Sequence, residues 1–546
     1  MRAKTSIFLL IYSGITLLLM HSLNCEPIVE INNNQISGQN VKFQNFGVHQ
    51  YLGIPYAQPP VGPLRFMPTV PLLQQPRMLK AIVPPPACMQ YTERPFPWYV
   101  NSSEKSEDCL YLNIWTPSDA SPENKKAVMY WIPGGGFRHG SIRSELYNGT
   151  ALSALGDVIV VTVNYRLGPF GFLFSGTDDA PGNAGLWDVL EGLRWVNKNI
   201  GFFGGDISRI TISGESAGSI FVGMLSVSPL TKGLYSKQIM ESGSPTYLQG
   251  DLFREKNLDS SQKVAEIARC ANDTCTIQDN PRAVVECLKS VDPMVLSKAD
   301  FLALPDSGAF FFPQHGDEIV PDNPRIAILK GNFRCTDTLI GNTNDEGSFA
   351  LTTKNPEIFG FFGEKNHQIN KTTGADLMRQ MLKGFPDPES AIKHYLHGPE
   401  NAYSIMRYRV YTSYGDGFFL CPDVYYAEKC AEKGNNVYFF MWKHRPSGTP
   451  WALWMGDTHF SDVQFVFGRP LLHPSSYQEE EVQLSQKVIG IWSNFVKTGK
   501  PSADWPLFSR ESPIFKYLGP GNSVDINGSG PHQSECEFYR PFFTPK

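Results

Sequence analysis

The sequence predicts an α/β fold: a single large domain built on one large, mostly parallel central sheet with helices on both faces. Three observations lead there. Short apolar runs rich in β-branched and aromatic residues recur without polar alternation, as strands buried on both faces do. Helical or loop stretches separate these runs, and that alternation favours a parallel sheet covered on both sides. The chain also has no repeat, no low-complexity tract and no Pro/Ser-rich linker, so nothing divides its 546 residues into the about three or four domains that length alone would allow. With 41 % hydrophobic and 18 % charged residues the composition is that of a compact globular chain.

The chain opens on an address. Arg2 and Lys4 precede an apolar run from Ile7 to Met20, and small or permissive residues follow near Ser22 and Cys25. That is the layout of a secretory signal peptide, so residues 1–25 are expected to be removed and 26–546 to form the domain. The run is interrupted by Ser13 and Gly14 and is short for a bilayer span. No other stretch is long and apolar enough, and Phe542 to Lys546 lacks the hydrophobic tail of a lipid-anchor signal. A secreted, extracellular product is expected. Ten cysteines, none in a C-x-x-C pair, suit an oxidising compartment and argue against zinc or redox roles. Asn101, Asn148, Asn272, Asn370 and Asn527 each begin an N-x-S/T sequon, compatible with secretion. A net charge of −5 speaks against a nucleic-acid partner, which needs concentrated basic surface.

The strand candidates follow in order: Ala127 to Ile132, Val158 to Val163, Ile210 to Ser213, Lys237 to Met240, Thr338 to Ile340 and Val437 to Trp442, with a helix at Gly185 to Asn197. In such sheets the chemistry lies beyond the carboxyl ends of the strands. The loop after Ser213 reads Gly214-Glu215-Ser216-Ala217-Gly218, a G-x-S-x-G between strand and helix, which is a nucleophile elbow. The strained turn demands neighbours without side chains, and the helix behind it aims its N-terminal amides at a developing oxyanion. The plain alternative is a turn that merely starts a helix. Pro133-Gly134-Gly135-Gly136-Phe137 follows an earlier strand, where further oxyanion donors belong. Losing one such donor costs about 10²–10³ in rate. No Lys-Ser/Thr follows, so it is not a phosphate loop.

A serine nucleophile needs a base and an acid, in the chain order serine, acid, histidine. His459 lies in the loop region after Val437 to Trp442, whereas His315, His367, His394 and His397 sit in more polar surroundings and His444 and His473 suit structural roles. Asn344-Asp345-Glu346-Gly347 follows the Thr338 strand, and spacing does not choose between Asp345 and Glu346. The acid should be buried and ionised, to hold the imidazole in one tautomer.

These residues resemble the type-B carboxylesterase and cholinesterase family over nearly the whole mature chain. The stretch Tyr51 to Phe66 is similar to the family's opening signature, as are Glu107 to Trp115, Asn164 to Phe172 and Phe202 to Asp206. The resemblance implies the α/β-hydrolase fold and a serine carboxylic-ester hydrolase working through an acyl-enzyme. It selects Glu346 as the acid, and His459, which precedes Asp462 to Gly468, as the base. Gly135, Gly136 and Ala217 correspond to the oxyanion donors. The implied disulfides are Cys88 with Cys109, Cys270 with Cys287, and Cys421 with Cys536. Cys25 is expected to leave with the signal peptide, so Cys275, Cys335 and Cys430 stay unassigned and at least one thiol is free or intermolecular, unless Cys25 is retained. Glu479 to Thr498 resembles a helix that packs in family dimers, although an amphipathic surface helix reads the same way, so a homodimer is admitted. No metal or organic cofactor is implied, since serine hydrolysis needs only water.

The resemblance leaves the ester open. Cholinesterases stack a quaternary ammonium on aromatic faces, a contact worth up to about 2 kcal/mol when desolvated. Trp98 or Tyr99 lies near the position of their choline-binding tryptophan, and Phe349 and Glu215 match further cation-site positions. Against choline, Ser307 and Ala309 stand where acetylcholinesterases place two acyl-pocket phenylalanines, and the Phe310-Phe311-Phe312 cluster lies close by. Arg138, beside the glycine loop, would repel a cation. A general carboxylesterase acting on small ester substrates is the preferred reading, a choline-ester hydrolase the alternative. A stoichiometric scavenger or a non-catalytic recognition ectodomain is the reading from another class. Relatives of the latter kind break the triad, which is intact here.

Overall fold

A computed structural model describes residues 26–73, 77–99, 104–247, 253–307, 311–398, 403–521 and 526–544, with backbone only at 304–307 and 403–404. The expected signal segment 1–25 therefore lies outside the described residues. Eleven strands form the central sheet: β1 Gln39–Phe43, β2 Phe46–Pro55, β3 Tyr111–Pro117, β4 Lys126–Ile132, β5 Ile159–Val163, β6 Gly205–Glu215, β7 Lys237–Glu241, β8 Asp337–Thr343, β9 Val437–Trp442, β10 Ile514–Leu518 and β11 Asn527–Ser529. Their spatial order is β11-β10-β9-β8-β7-β6-β4-β5-β3-β2-β1. The run from β10 to β5 is parallel, and antiparallel pairs close both edges. The expected large, mostly parallel sheet is what the chain builds.

Alternation along the strands divides the interior into two cores. In β4, Val128, Tyr130 and Ile132 enter one core while Met129 and Trp131 enter the other. In β9, Val437, Phe439 and Met441 alternate with Tyr438, Phe440 and Trp442 in the same way. Both sets are apolar, so the sequence shows no polar alternation although the side-chain period remains two. The first face is covered by α1 Ala184–Asn199, α2 Ala217–Val227 and α5 Cys421–Glu432, the second by α6 Glu479–Thr498 with its Leu484, Val488, Trp492 and Phe495 inward. Three further helices matter below: α3 Pro293–Ser307, α4 Tyr403–Gly415 and α7 Gln533–Phe543. A π-helical turn, Asp416–Leu420, joins α4 to α5.

Among the described residues, four disulfides staple this framework. Cys88–Cys109, Cys270–Cys287 and Cys421–Cys536 are the three that the resemblance implied. The fourth joins two of the unassigned cysteines, Cys335 just before β8 and Cys430 in α5, with Cα atoms 5.5 Å apart. Packing α5 beside β8 brings them together. Cys275 is the free thiol among the described residues.

Candidate active site

The register of the parallel strands puts the candidate loops side by side. Ile132 of β4 pairs with Gly214 of β6, Glu215 with Glu241 of β7, Glu241 with Gly341 of β8, and Thr343 with Trp442 of β9. The loops leaving these strands carry Gly134–Gly136, Ser216, Ser242, Glu346 and His459.

Ser216 stands between β6 and α2 with φ +53° and ψ −118°, a left-handed conformation that costs a side-chain-bearing residue energy. Its N–H donates to the Glu241 carbonyl at 2.8 Å, and its own carbonyl accepts from Ile220 at 2.9 Å. Glycine is required around it. A side chain at Gly134 would collide with the Glu215 carboxylate, one at Gly218 would strike the Ile132 carbonyl, and one at Gly243 would press on the Ser216 carbonyl. Gly134 approaches Ser216 closely enough that its absent Cβ would lie 3.1 Å from the serine Cβ, so glycine loop and elbow are neighbours.

The glycine loop is held from outside. Gly135 (φ +116°) and Gly136 (φ +61°) take conformations that favour glycine. The side chain of Gln90 brackets Gly140, accepting from its N–H at 3.0 Å and donating to its carbonyl at 2.8 Å. The N–H of Gly168 donates to Phe137 O at 2.8 Å. Among the described residues no acceptor takes up the amides of Gly135, Gly136 or Ala217. Space beyond Gly136 is open.

Opposite, His459 Nδ1 lies 2.5 Å from Glu346 Oε2. The other carboxylate oxygen accepts from Ser242 Oγ at 2.6 Å and from the Thr343 N–H at 2.7 Å, so three donors fix Glu346. Glu346 is 3 % and His459 4 % exposed. The imidazole packs against two rings, stacked on Phe349 at 4.9 Å and tilted against Phe419, from the π-helical turn, at 4.6 Å. Its Nε2 is 3.1 Å from Glu215 Oε1. Of the two acids that spacing left open, Glu346 meets the histidine, and Asp345 faces the other way to Tyr411.

Buried acids surround this pair. Burial first, then the carboxylates of Asp462, Glu346 and Glu241, push the Glu215 pKa far up, so Glu215 favours its protonated form. Burial, then Glu346, raises Asp462 as well, and Glu241 is raised although Trp492 donates to it at 2.8 Å.

Trp98 and Tyr99 part company. Trp98 sits in an aromatic cluster, with centroids 5.0 Å from Phe96, 6.0 Å from Phe349 and 5.4 Å from Phe460. Tyr99 is taken by Lys105, whose ammonium donates to its hydroxyl at 2.7 Å, and by His139. Ser307 ends α3 with its side chain outside the described set, and Ala309, like Phe310, lies outside the described residues. Phe311 is buried in the core and Phe312 packs on Phe137 of the glycine loop, 5.7 Å between centroids.

The expectation that Arg138 repels a cation needs correction. Its guanidinium is buried against Asp300 of α3, donating to Oδ2 through Nε (3.0 Å) and Nη2 (2.6 Å), so a carboxylate balances its charge. His444 and His473 are paired elsewhere, with Glu481 and Glu145. Of the sequon asparagines, Asn272, Asn370 and Asn527 are exposed, Asn148 is half-buried and Asn101 lies outside the described residues. Sequence reasoning missed Ser242, Gln90 and Phe419. A Ser-Gly-Ser directly after β7 was the only signal available for the first; the other two act through tertiary placement alone.

A model of the carboxylesterase family matches residues 25–538. The chain is 39 % identical to acetylcholinesterase-1 of Trittame loki over 511 residues, covering 91 % of this chain and 90 % of that one. It is 31 % identical to an acetylcholinesterase of Leptinotarsa decemlineata over 557 residues (94 % and 86 % covered) and 32 % identical to a cholinesterase of Mus musculus over 536 (94 % and 87 %).

Proposed function

The chain belongs to the carboxylesterase family and is a carboxylic-ester hydrolase, and we propose that it acts through an acyl-enzyme on Ser216. Ser216 Oγ attacks the ester carbonyl while His459 Nε2 takes its proton. Glu346, on Nδ1, holds the tautomer and stabilises the imidazolium. The amides of Gly135, Gly136 and Ala217 receive the oxyanion. Collapse expels the alcohol, which takes the proton from His459, and water repeats the sequence to release the acid. The observation that carries this reading is the Glu346–His459 pair, 2.5 Å apart and three-fold anchored, at strand ends beside a serine of positive φ. S216A should lose esterase activity by at least about 10³-fold; near-full activity would reject the assignment. An acyl burst followed by no turnover would identify a stoichiometric scavenger instead.

A second reading concerns the alcohol. Trp98 beside Phe349, with the Arg138 charge balanced by Asp300, supports a site able to take a choline ester. The relatives named acetylcholinesterase and cholinesterase agree with it. The discriminating measurement compares kcat/KM for acetylthiocholine with that for a neutral isosteric thioester, in wild type and W98A. A strong cation preference lost in W98A establishes the choline site. Comparable rates establish a general carboxylesterase.

Export with removal of residues 1–25, leaving 26–546 as one domain, is proposed on the four disulfides, together with glycosylation at exposed sequons. No helix of the described residues is long and apolar enough to cross a membrane. A homodimer is proposed as well. The outer face of α6 presents Glu479, Glu480, Gln483, Gln486 and Lys487, so association there would be polar; sedimentation tests it.

A further inference from the structure

Asp345 precedes Glu346 in the turn after β8, and its side chain is buried on the far side of that turn. Its Oδ1 accepts from the Tyr411 hydroxyl of α4 at 2.9 Å. Its Oδ2 accepts from the N–H of Asp457 at 3.0 Å and from Asn344 Nδ2 at 3.1 Å. The main chain joins in: Asp345 N–H donates to the Asp457 carbonyl at 3.1 Å, and Asp345 forms a lone parallel bridge with Thr458, the residue before His459. The Asp345 carbonyl accepts from Ser348 N–H at 3.1 Å and Oγ at 2.9 Å. Gly456 completes the arrangement. It has φ +66°, and a side chain there would collide with the Asp345 carboxylate.

These bonds join three segments that meet nowhere in sequence: the turn bearing Glu346, the loop bearing His459, and α4. We propose that Asp345 is a positioning residue that locks the acid-bearing turn to the histidine-bearing loop and so sets the Glu346–His459 contact. The proposal rests on the triad reading above. The chemistry favours a carboxylate. The N–H groups of Asp457 and Asn344 can only donate, and the Tyr411 hydroxyl donates as well, so a carboxylate accepts from all three. An asparagine that keeps its oxygen on the Asp457 N–H turns its NH₂ to Tyr411, which removes the charge and forces that hydroxyl to reverse from donor to acceptor.

The test measures kcat and KM on a neutral aryl ester for wild type, D345N, Y411F and S216A, each normalised to active sites titrated with a phosphorylating serine reagent. D345N should lower kcat per titrated site by about tenfold to a hundredfold, the scale of a misplaced catalytic group, with KM within about twofold. Y411F, which removes one hydroxyl and keeps the ring, should lower kcat by about three- to tenfold and serves alone if D345N does not fold. Loss confined to the number of titratable sites, with normal kcat per site, would make Asp345 merely structural and overturn the proposal. Wild-type kcat in both variants would overturn it too. If S216A retained activity, the triad reading itself would fail first, which separates the two failures.

Discussion

The backbone at Ser216 is strained by position rather than by error of packing. A left-handed serine costs about 1–3 kcal/mol, and here Gly134, Gly218 and Gly243 leave the chain no easier path. Glycine at 216 would release that strain and lose about 0.5–1 kcal/mol to the greater freedom of the unfolded chain. S216G is therefore expected to melt above S216A; a lower melting temperature for S216G would show that the elbow stores no strain. Single residues were legible in the sequence wherever their chemistry is local. The elbow and the glycine loop declare themselves because glycine spacing reports backbone geometry. Asp345 and Glu346, or Trp98 and Tyr99, do not separate, because adjacent residues in a turn point apart and only the surrounding fold decides which one faces the site.

Among the elements, the π-helical turn Asp416–Leu420 sits where an extra residue in the helix turns Phe419 onto His459. Its first residue is tied to α7: His532 Nδ1 lies 2.6 Å from Asp416 Oδ1, and Tyr395 donates to Oδ2 at 2.6 Å. Burial alone would lower the His532 pKa, but the Asp416 carboxylate, helped by Glu535, outweighs it and holds the imidazole at about 9. A pKa raised from 6.5 in the folded state means stability that is complete below about 6.5 and lost as pH climbs through about 9. The melting temperature of wild type is expected to fall more between about pH 7 and pH 9.5 than that of H532Q, and equal slopes would refute the linkage. Elements were legible in the sequence to the extent that both their faces are buried. Val437–Trp442 is found as read, whereas β6 begins at Gly205, five residues before its apolar run, because its first half is partly exposed. The antiparallel strands β1 and β2 have mixed burial and carried no clear signal.

Across the whole molecule, covalent and non-covalent order reinforce each other. The Cys421–Cys536 bridge closes a span of 115 residues and ties α5 to α7. Its removal in C421S/C536S is expected to cost about 2–5 kcal/mol, read as a drop in denaturant midpoint without change of slope. The Cys335–Cys430 bridge could not be read from the sequence, since it exists only once α5 lies along β8. The same sheet that unites the site also separates its parts along the chain. Ser216 leaves β6, Glu346 leaves β8, and His459 comes 113 residues after Glu346, beyond β9. A growing chain thus carries its serine long before it owns a base to activate it. On the triad proposed above, the nascent protein stays chemically silent until β9 has joined β8, so hydrolysis begins only once most of the chain has been made.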